Sequence, residues 1–270
     1  MRDRDWTTIA AVAALVYPAC DILHEGVGHG GACLLTGGAP VSMSSVHFEC
    51  SQEGLWVSAG GTLVNLAAGL LAWALLQGTA PAGRSRHPTA RYALWLFMTV
   101  NLMQGCGYFL FSGVGNIGDW AAVIRGRDPV WAWRGGLALL GGASYLMVVV
   151  LALRSLREFL AGDLDEQKRQ ARRLTLVPYL AGGLLSVVAG AFNPVGMILV
   201  AISAAAASLG GTSGLAWMID LLGRPITPFA AAAAPNGAPV EIGRSRAWIV
   251  AGALAAVIFI ALWGPGFRFD

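Results

Sequence analysis

Long apolar runs that contain almost no charge are the feature that most constrains this chain. Of its 270 residues, 56% are hydrophobic and only 12% are charged, whereas soluble domains carry about a quarter charged residues. Several of the runs approach the roughly 20 residues that a helix needs to cross a bilayer. Because the bilayer offers backbone groups no hydrogen-bond partners, we expect an all-α, polytopic membrane protein with about six to seven transmembrane helices.

The runs and the segments between them divide the chain. The candidate spans are 7–33, 55–78, 91–113, 131–153, 175–192, 194–222 and 247–264. Between the first two spans, β-branched and aromatic residues around a polar centre predict a small β-hairpin. The charged, periodic residues 156–174 predict a short surface helix, and the composition of 225–243 predicts a Pro/Ala linker.

The basic residues indicate an orientation. If the N-terminus is cytoplasmic, most of the 18 lysines and arginines lie on the inner side, and the exceptions are Arg125, Arg127, Arg134 and Arg268. This pattern predicts an integral protein of a bacterial inner or plasma membrane. Cys33 and Cys50 then both approach the outer face, where a disulfide can persist. The net charge of +3 is too small to indicate a nucleic-acid partner.

The strongest chemical signal is DILHEGVGHGG at residues 21–31. Ionisable side chains within an apolar span are costly and usually functional, and two of the four histidines in the chain lie here. Imidazoles with a neighbouring carboxylate suit a catalytic zinc site. In such a site His24 and His29 would hold the metal, and Glu25 would take a proton from water.

The spacing of the two histidines leaves alternatives open. On a regular α-helix, positions i and i+5 lie about 140° apart, so they would not face one ion. A π-bulge favoured by the surrounding glycines would bring them together. Asp21, Glu25 and His29 form another stripe that could bind metal without His24. The two histidines could also be held only by hydrogen bonds.

Two further segments supply candidate partners. NIGDW at 116–120 offers Asp119 as a third ligand and Asn116 as a polar support, although an aspartate there could also cap a helix. Asn65 lies in the middle of the second span, where it could position substrate or bond a neighbouring helix. His47 and Glu49 are more typical of a solvated hairpin.

These motifs resemble those of the site-2 protease family of intramembrane zinc metalloproteases. HEGVGHGGACLLTGG is similar to the first motif of the family, SAGGTLVNLAAG to the second, and NIGDW stands where the family places its aspartate ligand. The resemblance covers roughly residues 18–122. The chain has HExxxH in place of HExxH, has Thr62 where the family often has proline, and has a shorter third motif.

The resemblance implies that His24, His29 and Asp119 bind one zinc ion, that Glu25 is the general base, and that Asn65 supports the substrate. It divides the chain into a metalloprotease-like catalytic membrane core at 1–122 and additional transmembrane helices at 123–270. The expected function is cleavage of a transmembrane or membrane-proximal peptide of a protein substrate by metal-activated water.

Two other functions fit the same residues. A membrane hydrolase of a lipid amide or ester could use a similar His/Asp zinc site. A catalytically inactive, protease-like scaffold could instead bind a membrane partner, in which case no stoichiometric metal is expected.

Overall fold

The computed structural model describes residues 5–79, 81–82, 85–224 and 240–269. Within them, six helices are long and apolar enough to cross a membrane, namely Trp6–Leu35, Leu55–Gly78, Pro88–Gly115, Val130–Phe159, Leu164–Gly190 and Arg246–Trp263. The chain is therefore an all-α polytopic membrane protein, as its sequence predicts. Of the predicted Pro/Ala linker at 225–243, residues 225–239 lie outside the described residues.

The first span is not one regular helix. Helix α1, Trp6–Ile22, continues into a π-helical stretch, Leu23–Gly30, and then into α2, Gly31–Leu35. The other elements are α3 (Leu55–Gly78), α4 (Pro88–Gly115), α5 (Asp119–Val123), α6 (Val130–Leu156), α7 (Leu164–Gly190), α8 (Met197–Leu199), α9 (Gly214–Trp217) and α10 (Arg246–Ile258).

A three-stranded sheet covers one end of the bundle. Strands β1 (Pro40–Ser44) and β2 (His47–Cys50) form the predicted hairpin, with Ser44 opposite His47. The short strand β3, Phe267–Arg268, pairs antiparallel with β1, which gives the order β2-β1-β3. The C-terminal segment therefore returns to the hairpin.

Helix α4 forms the centre of the bundle and packs against α1, α3 and α6. Two of its buried aromatic side chains donate to the backbone of neighbouring helices: Trp95 Nε1 donates to Ala152 O at 3.0 Å, and the Tyr92 hydroxyl donates to Leu174 O at 2.7 Å. Since buried polar groups are costly without a partner, these bonds fix α4 against α6 and α7.

The charged segment 156–174 does not form a separate surface helix, so that expectation was wrong. Arg157–Phe159 is a 3-10 turn, and α7 begins at Leu164 and runs without a break to Gly190. Asp163 caps α7 by accepting a hydrogen bond from Glu166 N at 2.8 Å. The helix can extend into the charged region because Ala171 and Leu174 are fully buried on its inner face.

Residues 194–222, predicted as one transmembrane span, do not form a single helix. This segment consists of α8, a π-helix (Val200–Gly210), a turn, α9 and a 3-10 turn (Met218–Leu221), and the adjacent Gly210 and Gly211 lie at its break. Ala204 lies against Gly190 and Gly223 lies against Leu164. The broken segment thus runs antiparallel to α7 from Ala204 onwards.

The end of the bundle opposite the sheet is rich in basic residues and is closed by polar contacts. Arg91 Nε lies 2.9 Å from the Glu158 carboxylate, and Asp5 N donates to Ile242 O at 3.0 Å. These bonds join the starts of α1 and α4 to later segments. All candidate site residues except Asn65 lie towards the other end, beneath the sheet.

Candidate metal centre

The stretch Leu23–Gly30 is π-helical, and this explains how His24 and His29 can face the same point although they are five residues apart. A π-helix accommodates an extra residue in each turn, which turns the i and i+5 positions towards the same side. The ring centroids of His24 and His29 are 4.9 Å apart, and their Nε2 atoms are 3.3 Å apart. Both side chains are buried. The predicted π-bulge is confirmed.

Close helix packing holds this stretch against α3. A Cβ atom built on Gly28 would lie 2.5 Å from Gly61 Cα, and one built on Gly61 would lie 2.6 Å from His24 Nε2. No larger side chain fits at either position without displacing its neighbours. The glycines therefore allow α3 to pack directly on the imidazole of His24.

Asp119 lies close to both histidines although it comes from a different part of the chain, the start of α5. Helix α4 ends at Gly115, the next residue, Asn116, adopts a left-handed conformation with a φ of 55°, and Gly118 has a φ of 81°. This tight turn places Asp119 at the first position of α5. Its Oδ2 atom lies 3.2 Å from His24 Nε2 and 3.5 Å from His29 Nε2.

The environment keeps Asp119 ionised. Burial raises the pKa of its carboxyl group, but the neighbouring imidazoles of His29 and His24 outweigh burial and hold the pKa below its usual range. When the two imidazoles are neutral, their ring nitrogens and the Asp119 carboxylate are ligand types that zinc accepts.

The three donor atoms form a nearly equilateral triangle with edges of 3.2, 3.3 and 3.5 Å. Tetrahedral zinc with ligand bonds of about 2.0–2.1 Å would place its ligand atoms about 3.3–3.4 Å apart. The residues therefore fit a zinc ion that has three protein ligands and one remaining open position.

Glu25 is the fourth ionisable group of this cluster. Its side chain is buried, and one of its carboxylate oxygens lies within 4.8 Å of a ring nitrogen of both His24 and His29. It also lines the cavity beside the triangle. Glu25 is thus close enough to act on a molecule bound next to the metal position without being needed as a ligand.

A cavity of about 1070 Å³ adjoins the site. Its walls come from strand β2, the first turns of α3, the end of α4 and the segment around α5. The lining includes Glu25, His29, Phe48, Tyr108, Asn116 and Asp119. The cavity therefore gives a molecule of substantial size access to Glu25, His29 and Asp119.

A disulfide ties the hairpin to the helix that carries the histidines. Cys33 in α2 is bonded to Cys50 in β2, with their Cα atoms 5.9 Å apart. Cys33 follows the π-helical stretch directly, so the bond fixes one wall of the cavity relative to His29. The disulfide predicted as one alternative is present.

The supporting residues differ from those predicted. Asn65 is fully buried and donates to Gln104 Oε1 at 3.3 Å, and it is not among the residues that line the cavity. Its position fits the helix-bonding alternative. Asp21 accepts a hydrogen bond from Trp263 Nε1 at 2.9 Å, and among the described residues it does not belong to the close cluster of His24, Glu25 and His29.

Two contacts of the site could not be predicted from the sequence. Tyr108 stacks on His24 with their ring centroids 4.7 Å apart, and Val57 O lies 2.6 Å from His29 Nδ1. A backbone carbonyl is available at every residue, so only the packing of α3 against the π-helical stretch could identify this one. Conversely, His47 and Glu49 of the hairpin do line the cavity.

The chain was also compared with known proteins. No family model, curated protein or solved structure matches it.

Proposed function

We propose that this protein is a membrane-embedded zinc hydrolase, and more specifically an intramembrane metallopeptidase. His24, His29 and Asp119 would be the metal ligands, and Glu25 would be the general base. The observation that carries the proposal is the triangle of donor atoms with edges of 3.2–3.5 Å, which matches tetrahedral zinc. The resemblance of the three motifs to the site-2 protease family points the same way.

In the proposed hydrolysis the metal ion, Glu25 and His29 would have separate roles. A zinc ion at this position would supply a Lewis acid that polarises the scissile carbonyl and makes water more acidic. Glu25, within 4.8 Å of the histidine nitrogens, would accept a proton from the attacking water and then deliver it to the leaving amine. His29 is held in place by Val57 O while this occurs.

The walls of the cavity favour a peptide substrate over a lipid. Strand β2 stands at the edge of the sheet and lines the cavity. A strand edge presents backbone N–H and C=O groups that an extended peptide can pair with. An acyl chain would make no use of these groups. A transmembrane or membrane-proximal segment that has unwound near the hairpin is therefore the proposed substrate.

We also propose a location and an orientation, namely a bacterial inner or plasma membrane with a cytoplasmic N-terminus. The basic end of the bundle then faces the cytoplasm, in agreement with the positive-inside rule. The Cys33–Cys50 disulfide lies at the other end, which is consistent with an oxidising compartment. The cavity would thus open towards the non-cytoplasmic side.

Metal content tests the proposal directly. Purified wild type should contain about one zinc ion per chain by elemental analysis, and His29→Ala should contain little. His87→Ala is the matched control, because His87 is exposed at the start of α4, at the opposite end of the bundle, and it should retain the metal. A wild type without metal would refute the proposal and leave the triangle as an ion pair.

Hydrolysis requires a second assay. Fluorescein-labelled casein in detergent micelles serves as the peptide probe, and a fluorogenic N-acyl amide serves as the lipid-like probe. Chelator-sensitive release from casein would support a peptidase. Release from the acyl amide alone would overturn the peptidase assignment in favour of a lipid amidase.

A further inference from the structure

A second, much smaller cavity of about 20 Å³ lies beside His24. It is enclosed by α1, the π-helical stretch, the hairpin turn, α4 and the broken segment. Its polar lining includes Asp21, His24, Ser45, Gln104 and Tyr108. A cavity holds one water molecule when it offers at least about 10–15 Å³ and two to four polar partners. This cavity meets both conditions.

Two of the lining atoms need such a partner. His24 Nδ1 and Ser45 Oγ are both buried, and neither has a hydrogen-bond partner among the described residues. The side chains of His24 and Ser45 are only 4% and 5% exposed, so bulk water does not reach them. A buried polar atom without a partner is destabilising, so one shared partner would satisfy both.

We propose that Ser45 positions His24 through one buried water molecule in this small cavity. This inference rests on the proposed function, in which His24 Nε2 faces the metal and Nδ1 carries the proton. The Nδ1–H group would donate to the water, and the water would bond Ser45 Oγ and the Asp21 carboxylate. A ligating histidine commonly donates its second ring N–H to an oxygen, which fixes the tautomer and the ring orientation.

The two histidines would then be held by different means. His29 Nδ1 has a direct backbone partner in Val57 O at 2.6 Å. His24 Nδ1 has no such partner among the described residues, and the ring atom of His24 nearest to the Cβ position of Gly61 in α3 is Nε2. The proposed water gives His24 the support that Val57 gives His29.

Ser45 is itself held by the C-terminal segment. Ser45 N donates to Trp263 O at 2.9 Å, and Trp263 Nε1 donates to Asp21 Oδ2 at 2.9 Å. Trp263 therefore fixes two walls of the small cavity at once. Trp263 ends the π-helical stretch Phe259–Trp263 that follows α10, so this segment would support the metal centre although it lies far from His24 in the sequence.

Zinc affinity is the readout that separates positioning from simple packing. Ser45→Ala should weaken zinc binding by about 10- to 100-fold in competition with a chromophoric chelator. The control is Thr175→Val, which removes another buried hydroxyl without a hydrogen-bond partner among the described residues, but in α7 towards the basic end. It should bind zinc as wild type does. Ser45→Thr keeps the hydroxyl and should recover affinity relative to Ser45→Ala.

The outcomes distinguish this inference from the proposed function. If wild type binds no zinc, the proposed function fails. If wild type binds zinc and Ser45→Ala binds it equally well, only the role of Ser45 is overturned. Should Ser45→Ala not fold, a high-resolution structure of wild type decides, because density for a water within about 3.2 Å of both His24 Nδ1 and Ser45 Oγ is expected. Its absence would overturn the inference.

Discussion

The Nδ1 atom of His29 lies 2.6 Å from the carbonyl oxygen of Val57, which belongs to the first turn of α3. A carbonyl oxygen can only accept a hydrogen bond, so Nδ1 carries the proton. In the neutral imidazole Nε2 is then bare and faces His24 and Asp119. The backbone of α3 thus selects the tautomer in which His29 can bind a metal ion.

Glu25 should be needed for hydrolysis but not for metal binding. Glu25→Gln keeps the size of the side chain and removes the group that accepts a proton. We expect full zinc content by elemental analysis and a loss of casein cleavage of about 100-fold or more. Cleavage at the wild-type rate would remove Glu25 from the mechanism.

Asp119 should be needed for metal binding itself. Asp119→Ala leaves two protein ligands, whereas a catalytic zinc site usually has three, so most of the metal should be lost on dialysis. Asp165→Ala, which removes an exposed carboxylate in the first turn of α7, is the control and should keep its zinc. Equal zinc content in the two variants would exclude Asp119 as a ligand.

Gly61 should act on the metal centre through packing alone. In Gly61→Ala the new Cβ would lie 2.6 Å from His24 Nε2, so the ring must move and zinc affinity should fall at least about tenfold. Gly135→Ala in α6 is the matched control, because no atom lies within 4 Å of its Cβ position. The idea fails if both variants bind zinc with wild-type affinity.

Glu158 should stabilise the fold without affecting the metal. Its carboxylate pairs with Arg91, and the two side chains are only 17% and 10% exposed. Glu158→Gln leaves the half-buried guanidinium without its counterion, although Arg91 keeps its bonds to Thr79 and Leu76, so the loss should be about 1–2 kcal/mol. Thermal unfolding of the detergent-solubilised protein measures this loss. Arg169→Gln, which breaks the exposed pair with Glu166, should leave the unfolding temperature unchanged.

Thiol labelling tests the proposed orientation. The side chain of Glu53, beside the hairpin, is 93% exposed, and that of Arg169, at the basic end, is 65% exposed. The free cysteines Cys20 and Cys106 are buried. A membrane-impermeant maleimide should therefore label Glu53→Cys in intact cells and label Arg169→Cys only after lysis. The reverse pattern would mean that the cavity opens towards the cytoplasm.

The metal centre was largely predictable because its chemistry is local. HEGVGH brings two candidate ligands and a candidate base within one stretch, and glycines allow the π-helix that brings His24 and His29 together. Asp119 lies far away in sequence, yet the order of the apolar runs places it at the same end of the bundle. The resemblance then implied that Asp119 would be the third ligand.

The remaining contacts depend on packing that hydropathy does not encode. Residues 194–222 are apolar throughout, so composition predicts a span, but the chain breaks beside Gly211. Asn65 could equally have faced substrate or another helix, and only the proximity of Gln104 decides between them. Similarly, nothing in the sequence joins Trp263 to Asp21, because an indole N–H can find an acceptor on any neighbouring element.

The π-helical stretch links the spacing of the histidines to the packing of Gly28 on α3 and to the Cys33–Cys50 disulfide. Deleting Gly26 would turn HEGVGH into HEVGH, and a regular helix could then present both histidines to one ion. Every later residue would, however, rotate by about 100° and shift by about 1.5 Å relative to α1. Gly28 would no longer face Gly61, and Cys33 would turn away from Cys50. The extra residue therefore sets the register of the whole first span, and the unusual motif cannot be shortened without also rebuilding the hairpin and its covalent link.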